Sequence, residues 1–178
     1  MEFTPDETVN KLILLFVLDK MEILLTENSI IDICTSRNSW MNYMDCIVIL
    51  HELLDTNFIY NASPNNDEAR YGITYQGREC LSHFFARIPQ SLREEITVFA
   101  RDKRLDFKRS QEYVSEYAKN EDGSYTVTLK IKEPSMVQPL LELRIKTPNR
   151  NTAILTCKKW GDQAPNVFEY LYDTLIED

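Results

Sequence analysis

Two stretches constrain this fold most. They are Leu50-His-Glu-Leu-Leu-Asp-Thr-Asn-Phe-Ile-Tyr60 and, ten residues later, Tyr71-Gly-Ile-Thr-Tyr-Gln-Gly-Arg-Glu-Cys-Leu81. The first reads as the end of an amphipathic helix running into a strand. The second reads as a return strand that passes straight into a new helix, with Thr74 as its cap. Phe58-Ile59-Tyr60 and Arg70-Tyr71-Gly72-Ile73 are the expected strands. Ser63-Pro-Asn-Asn-Asp67 between them has turn chemistry and no apolar residue.

Upstream, Thr4-Pro5-Asp6-Glu7 is a helix start: a capping threonine, a proline suited to the first turn and a glutamate completing a capping box. Val9, Leu12, Ile13, Phe16 and Val17 then recur at helical spacing. Glu22 to Leu25 is a possible short strand, and Thr26 caps a second helix with Ile30, Ile31 and Cys34 inward. Thr35 to Ser39 is polar and reads as a turn. A third helix is expected from near Trp40 to near Thr56. At roughly 100° per residue, Tyr43, Ile47, Leu50 and Leu54 form its inward stripe. Asn42, Asp45, Ile49 and Glu52 form the opposite, outward side.

Pro89 disfavours helix at Ile88 and marks a boundary. A new helix from Ser91 carries Leu92, Ile96 and Phe99 into the charged run Arg101–Arg109. The hydrophobic period then changes to two. Tyr125, Val127, Leu129 and Ile131 alternate with polar residues, as do Leu141, Leu143 and Ile145. These are half-buried antiparallel strands. Tyr113–Ala118 is a third, joined through the Asn120-Glu-Asp-Gly123 turn. Two helical segments, near 152–159 and 166–176, close the chain.

The bulk chemistry excludes several classes. No apolar run approaches a membrane span, and the acidic start lacks a secretory n-region. No membrane partner and a cytoplasmic location are therefore expected. Cys34, Cys46, Cys80 and Cys157 form no Cys-x-x-Cys pair, and neither His51 nor His83 sits at ligand or triad spacing. The four glycines make no phosphate-cradling loop. The residues therefore imply no metal, no cofactor and no catalysis. Net charge is −8, and residues 1–87 hold six Lys/Arg against thirteen Asp/Glu.

Leu50-x-x-Leu53-x-x-x-Asn57-Phe-Ile59 resembles the end of the recognition helix in bacterial winged-helix regulators of the PadR and MarR kinds. Tyr71-x-Ile73-Thr74-x-x-Gly77 resembles the end of the wing and the start of the next helix in the same proteins. Asn57 stands where those usually have glycine, and asparagine is the next best residue in a left-handed cap. The whole chain also resembles a bacterial family of about this length known only as a domain of unknown function. It joins such a winged helix to a strand-rich C-terminal half, and Asn42-Tyr43 and Lys158-Lys159-Trp160 fit it. The resemblance implies a transcriptional regulator and names no operator or effector.

The expected fold class is therefore α+β. Residues 1–88 are expected to form a winged helix-turn-helix. Residues 89–178 are expected to form a small antiparallel-sheet domain with C-terminal helices, serving dimerisation or sensing. The expected function is sequence-specific binding of double-stranded DNA as a homodimer, because one recognition helix covers only a half-site. Arg37, Ser39, Asn42, Asp45 and Ile49 would meet the groove, with Asn65, Asn66 and Arg70 on the wing. Asparagine can read adenine and aspartate can accept from cytosine. Yet phosphate contacts dominate affinity, and only Arg37 and Arg70 are cationic. The alternative is a protein-interaction module on a winged helix that no longer binds DNA. The basic run Arg101–Arg109 could contact phosphates or simply be solvated. Leu92, Ile96 and Phe99 are expected to bury their stripe against a twin.

Overall fold

A computed structural model describes residues 6–63, 68–133 and 136–176. The chain divides into two compact units, Met1–Phe107 and Lys108–Asp178. The division lies nineteen residues beyond the expected boundary at residue 88.

In the first unit α1 spans Glu7–Met21 and follows Asp6; the expected start at Thr4 and Pro5 lies outside the described residues. Strand β1 is only Leu25–Thr26. Thr26 then caps α2, Glu27–Ile31, accepting from Ser29 N at 3.1 Å. Where a polar turn was expected, the backbone continues as a π-helical turn over Asp32–Arg37. The wider turn keeps Ile33 and Cys34 inward, and the Cys34 carbonyl accepts from Trp40 N at 2.9 Å and Met41 N at 3.2 Å. Helix α3, Tyr43–Asp55, starts at Asn42. Asn57 then has φ of 59°, the left-handed conformation that asparagine tolerates. Strands β2, Ile59–Asn61, and β3, Arg70–Ile73, pair antiparallel with Ile59 opposite Ile73. β1 adds to the other edge of β3, with Leu25 opposite Tyr71, so the order is β1-β3-β2.

Helix α4, Tyr75–Phe84, is capped by Thr74, whose hydroxyl also donates to the carbonyls of Asn57 at 2.8 Å and Phe58 at 3.0 Å. Helix α5 runs from Gln90 to Glu112. Its stripe does not wait for a twin. Ile96 is 1% exposed and joins one core with Trp40, Leu50 and Ile13, with Leu92 and Phe99 packed against it. The expected inter-subunit face is covered by the chain's own residues. This also explains the later boundary: residues 90–107 complete the first core.

The second unit is an antiparallel meander of β4, Tyr113–Lys119, β5, Tyr125–Ile131, and β6, Leu141–Thr147, with β5 central. Val127 faces Tyr117 on one side and Ile145 on the other. One helix, α6, Arg150–Leu175, covers the apolar face with Ala153, Trp160 and Ala164. Two helical segments were expected, but α6 runs through Pro165 without a break. A proline ring crowds the carbonyl four residues earlier, which here belongs to Gly161. Trp160 anchors the crossing, donating from Nε1 to the Lys130 carbonyl at 3.1 Å. No described helix is long and apolar enough to cross a membrane.

Candidate functional site

The expected site lies on α3 and the β2–β3 hairpin. Burial sets the true rotation of α3. Cys46, Ile49, Leu50 and Leu53 face inward, so Leu50 is common to both stripes while Cys46 and Leu53 stand one position before the expected Ile47 and Leu54. Ile49, expected outward, is 1% exposed and belongs to the core. Tyr43, expected inward, is 54% exposed. Met44 is 65% and Val48 49% exposed, and His51 and Asp55 continue the same outward side. Positions 44, 48, 51 and 55 recur at the spacing of one helical face. Sequence reasoning missed this face because a stripe starting at Tyr43 competes with one starting at Cys46. Small, apolar Cys46 is the better core residue.

Asn42 and Asp45 are occupied with the helix end. Asn42 Oδ1 accepts from Asp45 N at 2.8 Å, and its amide donates to Asp45 Oδ2 at 2.6 Å. Their placement together follows from capping, an acid in the first turn beside a capping asparagine. Ser39 is exposed and left-handed, with φ of 53°, and its N–H donates to Thr35 O at 2.9 Å. Arg37 pairs with Asp32, and its guanidinium carbon lies 5.2 Å from the Phe107 ring centroid. Arg70 is 3% exposed and pairs with Glu68 at 3.9 Å, so the hairpin's cation is a buried one. Asn65 and Asn66 lie outside the described residues.

The electrostatics of this face are acidic or neutral. α3 contains Asp45, Glu52 and Asp55 and no Lys or Arg. Glu52 holds Lys11 of α1 at 2.9 Å, and Glu7 holds the same ammonium at 2.6 Å. Hydrogen bonds that its ammonium donates to Glu7 first and Glu52 second raise the Lys11 pKa above the ordinary lysine range. In the basic run of α5, Arg101 pairs with Asp102, Lys103 with Asp106 and Arg104 with Glu22. Among the described residues, no three His, Cys, Asp or Glu side chains gather as metal ligands.

The site is thus an exposed helix face of Tyr43, Met44, Val48 and His51, without a cation on its own helix. Such a face can bury apolar area against a partner; it cannot by itself neutralise phosphate. No curated protein and no solved structure matches the chain. A family model does, over residues 10–175, and the chain belongs to that family, described as Domain of unknown function (DUF4364).

Proposed function

We propose that the first unit is a winged helix and that the outward face of α3 docks a protein partner in a regulatory complex. The observation that carries this reading is the exposure of Tyr43, Met44 and Val48 on a helix with no Lys or Arg. Contiguous exposed apolar surface marks interaction sites, and aromatic and methionine side chains are enriched in protein interfaces. Residues 1–107 hold ten Lys/Arg against seventeen Asp/Glu. The partner that fits is a protein with an apolar patch rimmed by basic residues.

The second reading is sequence-specific binding of double-stranded DNA by a homodimer. The sheet order β1-β3-β2, with the β2–β3 hairpin directly after α3, favours it, because that is how a winged helix is wired. The magnitudes oppose it. Each neutralised phosphate contributes a slope of about 0.9 in log K against log salt. Arg37 would first have to leave Asp32 and Phe107, and Arg70 its buried position.

A photo-crosslinking residue placed at Val48 of the full chain in its own cell separates the two. The expected product is a protein adduct that a control at exposed Glu79 does not give. A DNA adduct, with a salt-dependent affinity reduced by Arg37→Ala, replaces the first reading by the second. No adduct above the control removes the face from recognition altogether.

A further inference from the structure

A second feature of the first unit has no part in the α3 face. Phe16, Lys20, Phe85, Arg93, Thr97 and their neighbours line a cleft of about 440 Å³ among α1, the turn Phe85–Arg87 and the first half of α5. Its floor is aromatic. The Phe16 and Phe85 rings meet edge to face, with centroids 5.4 Å apart. Each ring carries a cation: Lys20 Nζ lies 5.3 Å from the Phe16 centroid, and Arg93 Cζ lies 4.5 Å from that of Phe85.

The acids nearby are already engaged. Asp19 receives both Lys20 and Arg78, each at 3.2 Å. Glu94 accepts from Gln90 at 2.9 Å. Arg93 has no acidic partner among the described residues, and its Nε is buried without a hydrogen-bond acceptor. A buried donor left unmade costs stability, so the guanidinium is under-satisfied where it stands. A guanidinium lying over a ring keeps N–H donors with which it can pair a carboxylate.

We propose that this cleft binds a small organic anion, a flat apolar body bearing one carboxylate. The body lies against Phe85 and the apolar wall beside it, above buried Phe16, and the carboxylate meets the Arg93 guanidinium with Lys20 beside it. The volume lies within the range of small-molecule sites, about 300–1,000 Å³. Asp19 and Glu94 disfavour a second negative charge, so the monoanion is selected over the dianion. An inorganic anion would leave the aromatic floor uncovered. The proposal does not depend on what α3 binds, since no α3 residue lines the cleft.

The experiment is a titration of the full chain with benzoate, benzamide and inorganic phosphate, followed by nitrogen–proton NMR. Benzoate is expected to shift the amides of Phe16, Lys20, Phe85, Arg93 and Thr97. Benzamide and phosphate should bind at least about tenfold more weakly, the scale of one charge-assisted hydrogen bond. Arg93→Gln should weaken benzoate by about the same factor. Thr97→Trp, at an exposed position on the cleft wall, should block it without touching a charge. Melting curves establish that each variant is folded, and Thr97→Trp decides the matter if Arg93→Gln is not. Equal binding of benzamide or phosphate overturns the proposal. So do benzoate shifts confined to other residues, no shift with any probe, or wild-type binding by either folded variant.

Discussion

The indole Nε1 of Trp40 donates to Glu95 Oε1 at 2.9 Å, across 55 positions of sequence. The same indole meets the Phe99 ring edge to face, with centroids 5.6 Å apart. Trp40 leads into α3 and Glu95 lies on α5, so this pair fastens the approach to the candidate site to the helix that completes its core. A double-mutant cycle with Trp40→Phe and Glu95→Ala should give a coupling of about 1.5 kcal/mol, the lower end for a hydrogen bond to a charged group. A fragment ending at residue 112 should melt cooperatively, whereas one ending at residue 88 should not, having lost the cover over Trp40. Cooperative melting of the shorter fragment would restore the boundary at Pro89.

The rotation of α3 is testable by three neighbouring truncations. Ile49 and Leu50 are each 1% exposed, while Val48 is 49% exposed. Ile49→Ala and Leu50→Ala should each cost about 2–5 kcal/mol, as buried aliphatic truncations do. Val48→Ala should stay within about 0.5 kcal/mol. Denaturant unfolding followed by Trp40 fluorescence in a Trp160→Phe background reads the first unit alone. Equal losses at residues 48 and 49 would mean that the helix is turned as the Tyr43 stripe implies.

Gly77 shows why the Thr74-x-x-Gly77 pattern has physical content. A Cβ built on Gly77 would stand 2.1 Å from the Phe58 carbonyl oxygen, a backbone atom that also accepts from Thr74 N and Oγ1 at 3.0 Å. Gly77→Ala must therefore push α4 off the end of β2. The expected loss is about 3 kcal/mol, the upper part of the usual range for overpacking. Gly161→Ala makes a clean comparison, because nothing lies within 4 Å of its added Cβ. Similar melting temperatures for the two variants would contradict the close approach.

Much of the fold was legible because local chemistry and tertiary packing agree there. Thr26, Asn57 and Thr74 sit where their capping chemistry places them, and central strand β5 alternates as expected, whereas Ile145 on edge strand β6, expected on the half-buried face, is 44% exposed. The site was less legible. Met44 and Val48 are apolar and exposed, so a rule that sends apolar residues inward rotates the helix wrongly. Arg70 carries a charge and is buried, so a rule that sends charge outward misplaces the hairpin. The basic run on α5 is partly neutralised, Arg101 by Asp102, Lys103 by Asp106 and Arg104 by Glu22. That pairing depends partly on contacts distant in sequence, which a local window does not contain. The two helical segments expected near the C-terminus are one helix, continuous through Pro165, and Trp160 and Ala164, placed just before that proline, are both buried against the sheet.

The four thiols should divide into two pairs by reactivity. Cys34 and Cys46 are buried in the first core, whereas Cys80 and Cys157 are partly exposed. A hydrogen bond with the Cys46 thiol, and burial after it, push the Cys34 thiol well above the ordinary cysteine range. Modification by an aromatic disulfide reagent should therefore be fast at Cys80 and Cys157. At Cys34 it should proceed only as fast as the unit opens. The linkage has a definite sign. Below the unfolded thiol value, about 8.5, Cys34 is protonated in both states and contributes no pH dependence. Above it the unfolded chain releases a proton that the folded chain keeps, so stability falls as pH rises. The window from that value to about 10 precedes the ordinary titration of tyrosine and lysine. It therefore separates the Cys34–Cys46 pair from Tyr71 and Lys11, whose pKa values are also raised. The bond that raises Cys34 lowers the Cys46 thiol, which works in the opposite direction, so Cys46→Ala removes the opposing group. In that window Cys46→Ala should lose stability with pH, and Cys34→Ala/Cys46→Ala, weaker at neutral pH through its cavity, should lose less. A rate at Cys34 matching that at Cys80, or parallel pH profiles for the two proteins, would show that the Cys34 thiol is not held in the core as described.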